Sequence, residues 1–184
     1  MCTPIGHSLA GLTLYYATGS KPAVQDTRRL GWFILLANLP DFDFIPGILT
    51  GDPGRYHHGI SHSIGMVLIV FMLAWWWGKP RLANSRLAIA FTVFAVVGSH
   101  LLLDWLTWDP PGLNGQGIPL LWPWSDTYYL APHTIFPRVE RHNLLSAETL
   151  TNNLTGLAIE LAVFTPLALL ARWWMMQRNR QQTA

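Results

Sequence analysis

Seven side chains in this sequence carry metal-binding or acid–base chemistry in places where such groups are costly: His7, Asp41, Asp43, His57, His62, His100 and Asp104. Each lies inside or beside a long apolar stretch. A charge at the centre of a bilayer costs at least about 2.5–3.5 kcal/mol, so ionisable residues there have a partner or a function. Imidazole and carboxylate mixtures suit zinc or manganese, and the lone cysteine, Cys2, excludes a thiolate cluster. His100 and Asp104 are four residues apart and project from one helical face. Asp41 and Asp43 are two apart, which a regular helix does not aim together. Pro40 breaks the helix ahead of them and lets both carboxylates point into one cavity. Like charges that close raise each other's pKa unless a cation neutralises them. His57, His58 and His62 gather around Gly59. Singly, each residue has a blander reading. His7 is more simply a helix–helix hydrogen-bond donor, His57 and His58 an exposed loop, Asp104 the end of a span. Jointly, seven N/O donors from four segments favour a metal site.

The elements that must position them are apolar. Of 184 residues, 51% are apolar and 12% charged, about half the charge of a soluble domain, which carries about 25%. Mean hydropathy is +0.25. These values exclude disorder and a solvated globule, and a net charge of +2 gives no reason to expect a nucleic-acid partner. A span needs about 20 apolar residues. Gly59–Trp77, Leu87–Trp108 and Leu154–Met176 qualify, and Leu30–Leu49 does so despite Asn38, Asp41, Asp43, Pro40 and Pro46. Ile5–Thr18 is shorter and is read as a fifth span, with a re-entrant or interfacial helix as the alternative. The fold class is therefore all-α: one membrane-embedded domain over residues 1–184, a bundle of about five helices.

Basic residues set its expected orientation. Lys21, Arg28, Arg29, Lys79, Arg81 and Arg86 fall on alternate connections, and Arg172, Arg178 and Arg180 at the end of the last span and in the tail 177–184, which makes those segments cytoplasmic and the amino terminus external. Arg55, Arg138 and Arg141 are left on the outer side. At about 1.5 Å per residue, His100 and Asp104 lie about 20 and 25 Å from the cytoplasmic end of their helix, and Asp41 and Asp43 about 17–20 Å along theirs. The donors thus converge in the outer half of the membrane. The long outer loop, 109–153, is rich in Pro, Gly, Trp and Tyr, and is either an interfacial anchor or a lid over the site.

The blocks Gly6-His7-Ser8, Pro40-Asp41-Phe42-Asp43, His57-His58-Gly59-Ile60-Ser61-His62-Ser63 and Ser99-His100-Leu101-Leu102-Leu103-Asp104, in that order, resemble the YdjM-like membrane-bound metal-dependent hydrolases of the bacterial inner membrane. The likeness reaches to about Trp122-Pro123-Trp124-Ser125. That family usually has Arg where this chain has His58, and Thr where it has Ser61. His58 is then an extra ligand or a weaker stand-in for an anion-binding guanidinium. The ligand order is also similar, more loosely, to that of zinc-dependent phospholipase C.

The resemblance implies a metal-activated water acting on an ester or phosphoester, in a lipid or lipid-linked substrate, at the outer face. One or two divalent ions are expected, zinc or alternatively manganese. Asp41, His62, His100 and Asp104 are assigned to one ion, with His7, Asp43 and His57 to the second. Asp43 is cast also as the proton acceptor, and His58 as a catalytic residue. A transporter and a non-catalytic protein with a structural metal remain alternatives. His133, Glu140, His142 and Glu160 have no assigned role.

Overall fold

The structure, a computed structural model, describes residues 1–19, 26–52, 54–79, 85–109, 116–140 and 143–183. Lys21, Arg81, Arg141 and His142, and the loop residues Pro110, Pro111, Gly112 and Gly115, lie outside the described residues. All helices in the described residues follow from local signals. Thr3 caps α1 (Pro4–Ala17) by accepting from the Gly6 N–H, with Pro4 at the first helical position where its missing N–H costs nothing. Asp26 caps α2 (Thr27–Ala37). That helix stops at Asn38, two residues ahead of Pro40, and the chain turns through a 3₁₀ segment, Pro40–Asp43, into the short α3 (Phe44–Leu49). A second 3₁₀ turn, Ile60–His62, leads to Ser63, which caps α4 (Ile64–Trp77). Ser85 caps α5 (Arg86–Trp105). α6 (Ala147–Thr183) begins where the Ser146 hydroxyl accepts from the Thr149 N–H.

The helices α5 and α6 are long and apolar enough to cross a membrane, and α2 with Pro40–Leu49, bent by 56°, is a third crossing if the pair is one span. α1 and α4 have 14 residues each, about 21 Å at 1.5 Å per residue, against a hydrocarbon thickness of about 30 Å. The expected span at Gly59–Trp77 is shortened because residues 59–63 form the 3₁₀ turn and cap instead of helix. The exterior is apolar: Leu68, Ile69, Met72 and Trp76 on α4 and Leu161, Leu169 and Leu170 on α6 are exposed. A soluble protein rarely leaves so much contiguous apolar surface bare; lipid is the solvent that accepts it.

In the bundle α1 packs between α6 and α2, α4 packs on α5, and α5 touches both α1 and α2. One core cluster joins Ala10, Leu103, Phe136 and Phe164; a second joins Val67, Val97, Leu101 and Ile118; a third Phe33, Ala37 and Val96. Ile118 and Phe136 come from the long loop, whose described part folds back onto the bundle end. Trp108 N–H donates to the Phe136 carbonyl at 2.9 Å, and Ile64 N–H to the Leu120 carbonyl at 2.9 Å. The loop closes through Ile118 and Tyr129, which exchange hydrogen bonds beside Gly117 at φ +89°, a conformation that favours glycine.

Candidate metal centre

The residues that reach the centre come from the end of the bundle where α1 and α4 begin and α5 finishes. His100 and Asp104 project from the last turns of α5, His7 from the first turn of α1, Asp41 and Asp43 from the 3₁₀ break after α2, and His62 from the turn before α4. His7, His62 and His100 are fully buried and Asp104 is 1% exposed.

Four donor atoms form the inner group: Asp41 Oδ1, His62 Nε2, His100 Nε2 and Asp104 Oδ2. His62 Nε2 lies 3.5 Å from Asp41 Oδ1 and 3.3 Å from Asp104 Oδ2. His100 Nε2 lies 3.5 Å from Asp41 Oδ1 and 3.2 Å from Asp104 Oδ2. The two nitrogens are 3.1 Å apart. Four N/O ligands at about 2.0–2.1 Å from a tetrahedral ion stand about 3.3 Å from one another. The observed edges bracket that length, so these side chains could hold a metal ion.

The far nitrogens of the rings are held by other groups, which fixes where the lone pairs point. His100 Nδ1 donates to the Ala37 carbonyl at 2.8 Å. His62 Nδ1 lies 3.1 Å from Asp43 Oδ2, and His57 Nδ1 is 3.0 Å from Asp43 Oδ1. The Ser61 hydroxyl donates to Asp43 Oδ2 at 2.6 Å. Asp43 is therefore the carboxylate behind two imidazoles. With Nδ1 as the donor, Nε2 of each ring is a free lone pair, the usual arrangement of a metal-ligating histidine. His57 Nε2, His58 Nε2, Asp104 Oδ2, both oxygens of Asp41 and both nitrogens of His7 are buried without a hydrogen-bond partner. So many orphaned donors and acceptors in one place would be expensive in an apolar interior, and a cation resolves the cost.

His57, His58 and His62 form a second group that could hold an ion. His58 has a left-handed backbone, φ +58°, and its Nδ1 lies 3.4 Å from Asp109 Oδ2 and its Nε2 3.9 Å from Asp104 Oδ2. Burial pushes His57 down to about 4, against the pull of its Asp43 hydrogen bond. Burial likewise lowers His58, with Asp109 opposing. Burial alone would raise Asp109, but its hydrogen bond with His58 holds it below the usual carboxylate range. Both imidazoles are thus neutral at neutral pH, the form that binds a cation. His7 completes the surroundings: its Nε2 is 3.5 Å from Asp104 Oδ1 and its ring stacks on His100 at 3.7 Å.

The YdjM inner membrane protein family matches residues 1–179. The chain belongs to that family. This YdjM-family chain is also 34% identical over 137 residues to the inner membrane protein YbcI of Escherichia coli (strain K12), an overlap of 72% of this chain and 73% of that protein. No solved structure matches it. Its family and its apolar helices make it a protein of the inner membrane.

All seven expected donors and His58 meet at one end of the YdjM-family bundle. Asp41, His62, His100 and Asp104 share the inner group; His57 and His58 join His62; His7 flanks Asp104; Asp43 bonds the far side of His57 and His62. His133 is exposed, and Glu140 lies 3.9 Å from Arg138 on the surface, so neither is part of the centre. Asp109 was missed by sequence reasoning: five residues beyond Asp104 and next to Pro110, it carries no spacing signal. The main-chain contributors, the Ala37 carbonyl and the Cys2 N–H, leave no trace in residue type.

Proposed function

We propose that this protein is a membrane-bound metal-dependent hydrolase that cleaves an ester or phosphoester in a lipid or lipid-linked substrate, at the outer face of the inner membrane. The observation that carries the reading is the cluster of Asp41, His62, His100 and Asp104, whose imidazole–carboxylate and imidazole–imidazole distances are 3.1–3.5 Å. The donor set suits zinc, with manganese as the alternative. Such an ion, when bound, supplies Lewis acidity that acidifies water and polarises the scissile group.

The chain's own groups do the rest. Asp43 orients His57 and His62, and His57, a ring backed by that carboxylate and with Nε2 unpartnered, takes the proton of the attacking water on behalf of the pair. His58, steadied by Asp109, stands where relatives of the resembled family carry an arginine; neutral and with Nδ1 toward Asp109, it offers its Nε2 as an extra donor for a cation beside the inner group. On this reading five segments cross, α1 and α4 at short length, with the amino terminus outside as the Lys/Arg distribution suggests, and the centre then lies within reach of outer-leaflet lipid. An apolar cavity of about 650 Å³ runs along α5 between α1, α4 and α6, lined by Ala10, Val67, Gly98, Leu102 and Phe164, and suits an acyl chain.

Purified protein in mild detergent should contain at least one equivalent of metal by elemental analysis and release product from phospholipid or a lipid phosphate. His100→Ala should lose both while still inserting into membranes. Stoichiometric metal with no turnover of any lipid would favour a structural metal, and metal uptake into proteoliposomes a transporter.

A further inference from the structure

α6 supplies no donor to the inner group, yet it carries Glu160 into the interior, 2% exposed. Three donors converge on that carboxylate. Oε1 accepts from the Thr3 N–H at 2.7 Å and from the Cys2 thiol at 2.9 Å, and Oε2 accepts from the Thr3 hydroxyl. The segment so held has two outlets toward the centre. The Cys2 N–H donates to Asp104 Oδ1 at 3.0 Å, which leaves Oδ2 to face His62 and His100. The Thr3 hydroxyl also accepts from the Gly6 N–H at 3.0 Å, and the Thr3 carbonyl accepts from the His7 N–H at 3.1 Å, so the same residue sets the start of the helix that carries His7. The space is fitted to this contact: a Cβ on Gly6 would stand 2.7 Å from both Cys2 Sγ and Glu160 Cδ.

We propose that Glu160 is a positioning residue of the metal centre, acting through Cys2 and Thr3 to fix the main-chain N–H that orients the Asp104 carboxylate. This rests on the metal-centre reading above. A buried carboxylate that merely joined two helices would need one donor on the facing helix. Here it gathers three donors from two consecutive residues, one of which bonds a candidate ligand through its own N–H.

The test uses the full chain in detergent with Glu160→Ala, Glu160→Gln and, as a packing control at the same α1–α6 contact, Phe164→Ala. Amide hydrogen exchange over residues 1–7 is read on metal-free protein, and cobalt(II) affinity and visible absorption on loaded protein. Glu160→Ala should speed exchange in residues 1–7 and weaken cobalt binding, each by about tenfold or more, with a shifted ligand-field spectrum. Glu160→Gln keeps the Oε1 acceptor and should recover part of each. Phe164→Ala should lower thermal stability and leave the spectrum unchanged. Wild-type exchange and spectrum in both Glu160 variants, or the same spectral change in Phe164→Ala, would overturn the proposal. If wild-type protein takes up no cobalt, the metal reading itself fails, and the exchange comparison alone decides whether Glu160 fixes Cys2 on Asp104.

Discussion

His62 faces carboxylates with both of its ring nitrogens: Asp43 on Nδ1, and Asp41 and Asp104 on Nε2. The two sides do different work, and substitution separates them. Asp104→Asn removes a charge from the inner group and should abolish metal retention through dialysis. Asp43→Asn leaves the four inner donors in place but loosens the His62 and His57 rings. It should weaken metal affinity by about 10–100-fold, measured by competition with a chelator of known affinity. His58→Ala removes a neighbour of Asp104 Oδ2 at 3.9 Å but none of the four inner donors; metal content at the inner group should persist, while kcat on a lipid ester falls by about 10²-fold or more. Loss of the inner ion in His58→Ala would instead make that imidazole a required ligand. At this scale the sequence was informative because buried imidazoles and carboxylates are expensive in apolar spans, and residue type alone flags them. It was uninformative about Asp109, which sits beyond the apolar stretch, where an acid is ordinary. Glu160 stood out by the same rule, an acid inside Leu154–Met176, but its role did not, because its partners lie 157 and 158 residues away in the chain.

The break between α2 and α3 is the element on which the site turns. Without Pro40 the helix could continue past Asn38, and Asp41 would leave the inner group for a direction set by helical periodicity. Pro40→Ala should therefore cost metal affinity while leaving helix content by circular dichroism close to wild type. The loop–helix junction makes a second element-scale prediction. A Cβ at Gly65 would lie 2.5 Å from the Trp122 carbonyl oxygen. Gly65→Ala should destabilise by about 1–3 kcal/mol, the usual cost of overpacking, read from the midpoint of thermal unfolding in detergent. The kink at Pro40 was legible because proline acts on its own neighbours. The start of α4 was not: Gly59–Ser63 adjoins the apolar run with no proline to mark the break, and what excludes it from the helix is the 3₁₀ turn that delivers His62. The return of Ile118 and Phe136 into the core was hidden as well, since a loop rich in Trp and Tyr reads as an interfacial surface.

Taken whole, the molecule joins two requirements that oppose each other. Its exterior is apolar enough to need lipid, while one end gathers at least two carboxylates and several imidazoles away from water. Holding that end together without a cation is costly, so stability should depend on metal. Added zinc at 100 times its dissociation constant should stabilise the folded state by about 2.7 kcal/mol, and a chelator should remove that gain, seen as a lower unfolding temperature. A midpoint indifferent to both would contradict a metal centre. The general architecture, an apolar helical bundle with donors at one end, was readable from composition and from the order of the four blocks. Which helices are long enough to cross was not, because capping decides helix length and apolar content does not.

The Ala37 carbonyl that holds His100 belongs to the end of α2 and to no side chain. Mutational scanning will therefore pass over this contact when position 37 is changed to another small residue, and will register it indirectly at neighbours that shift the backbone. Gly11 is one: a Cβ there would press on the Phe33 carbonyl at 2.9 Å and on Ala37 itself at 3.0 Å. Variants at Gly11 that still insert and still fold would then show an inactive, metal-poor protein, with the damage transmitted through the main chain to a ring they do not touch.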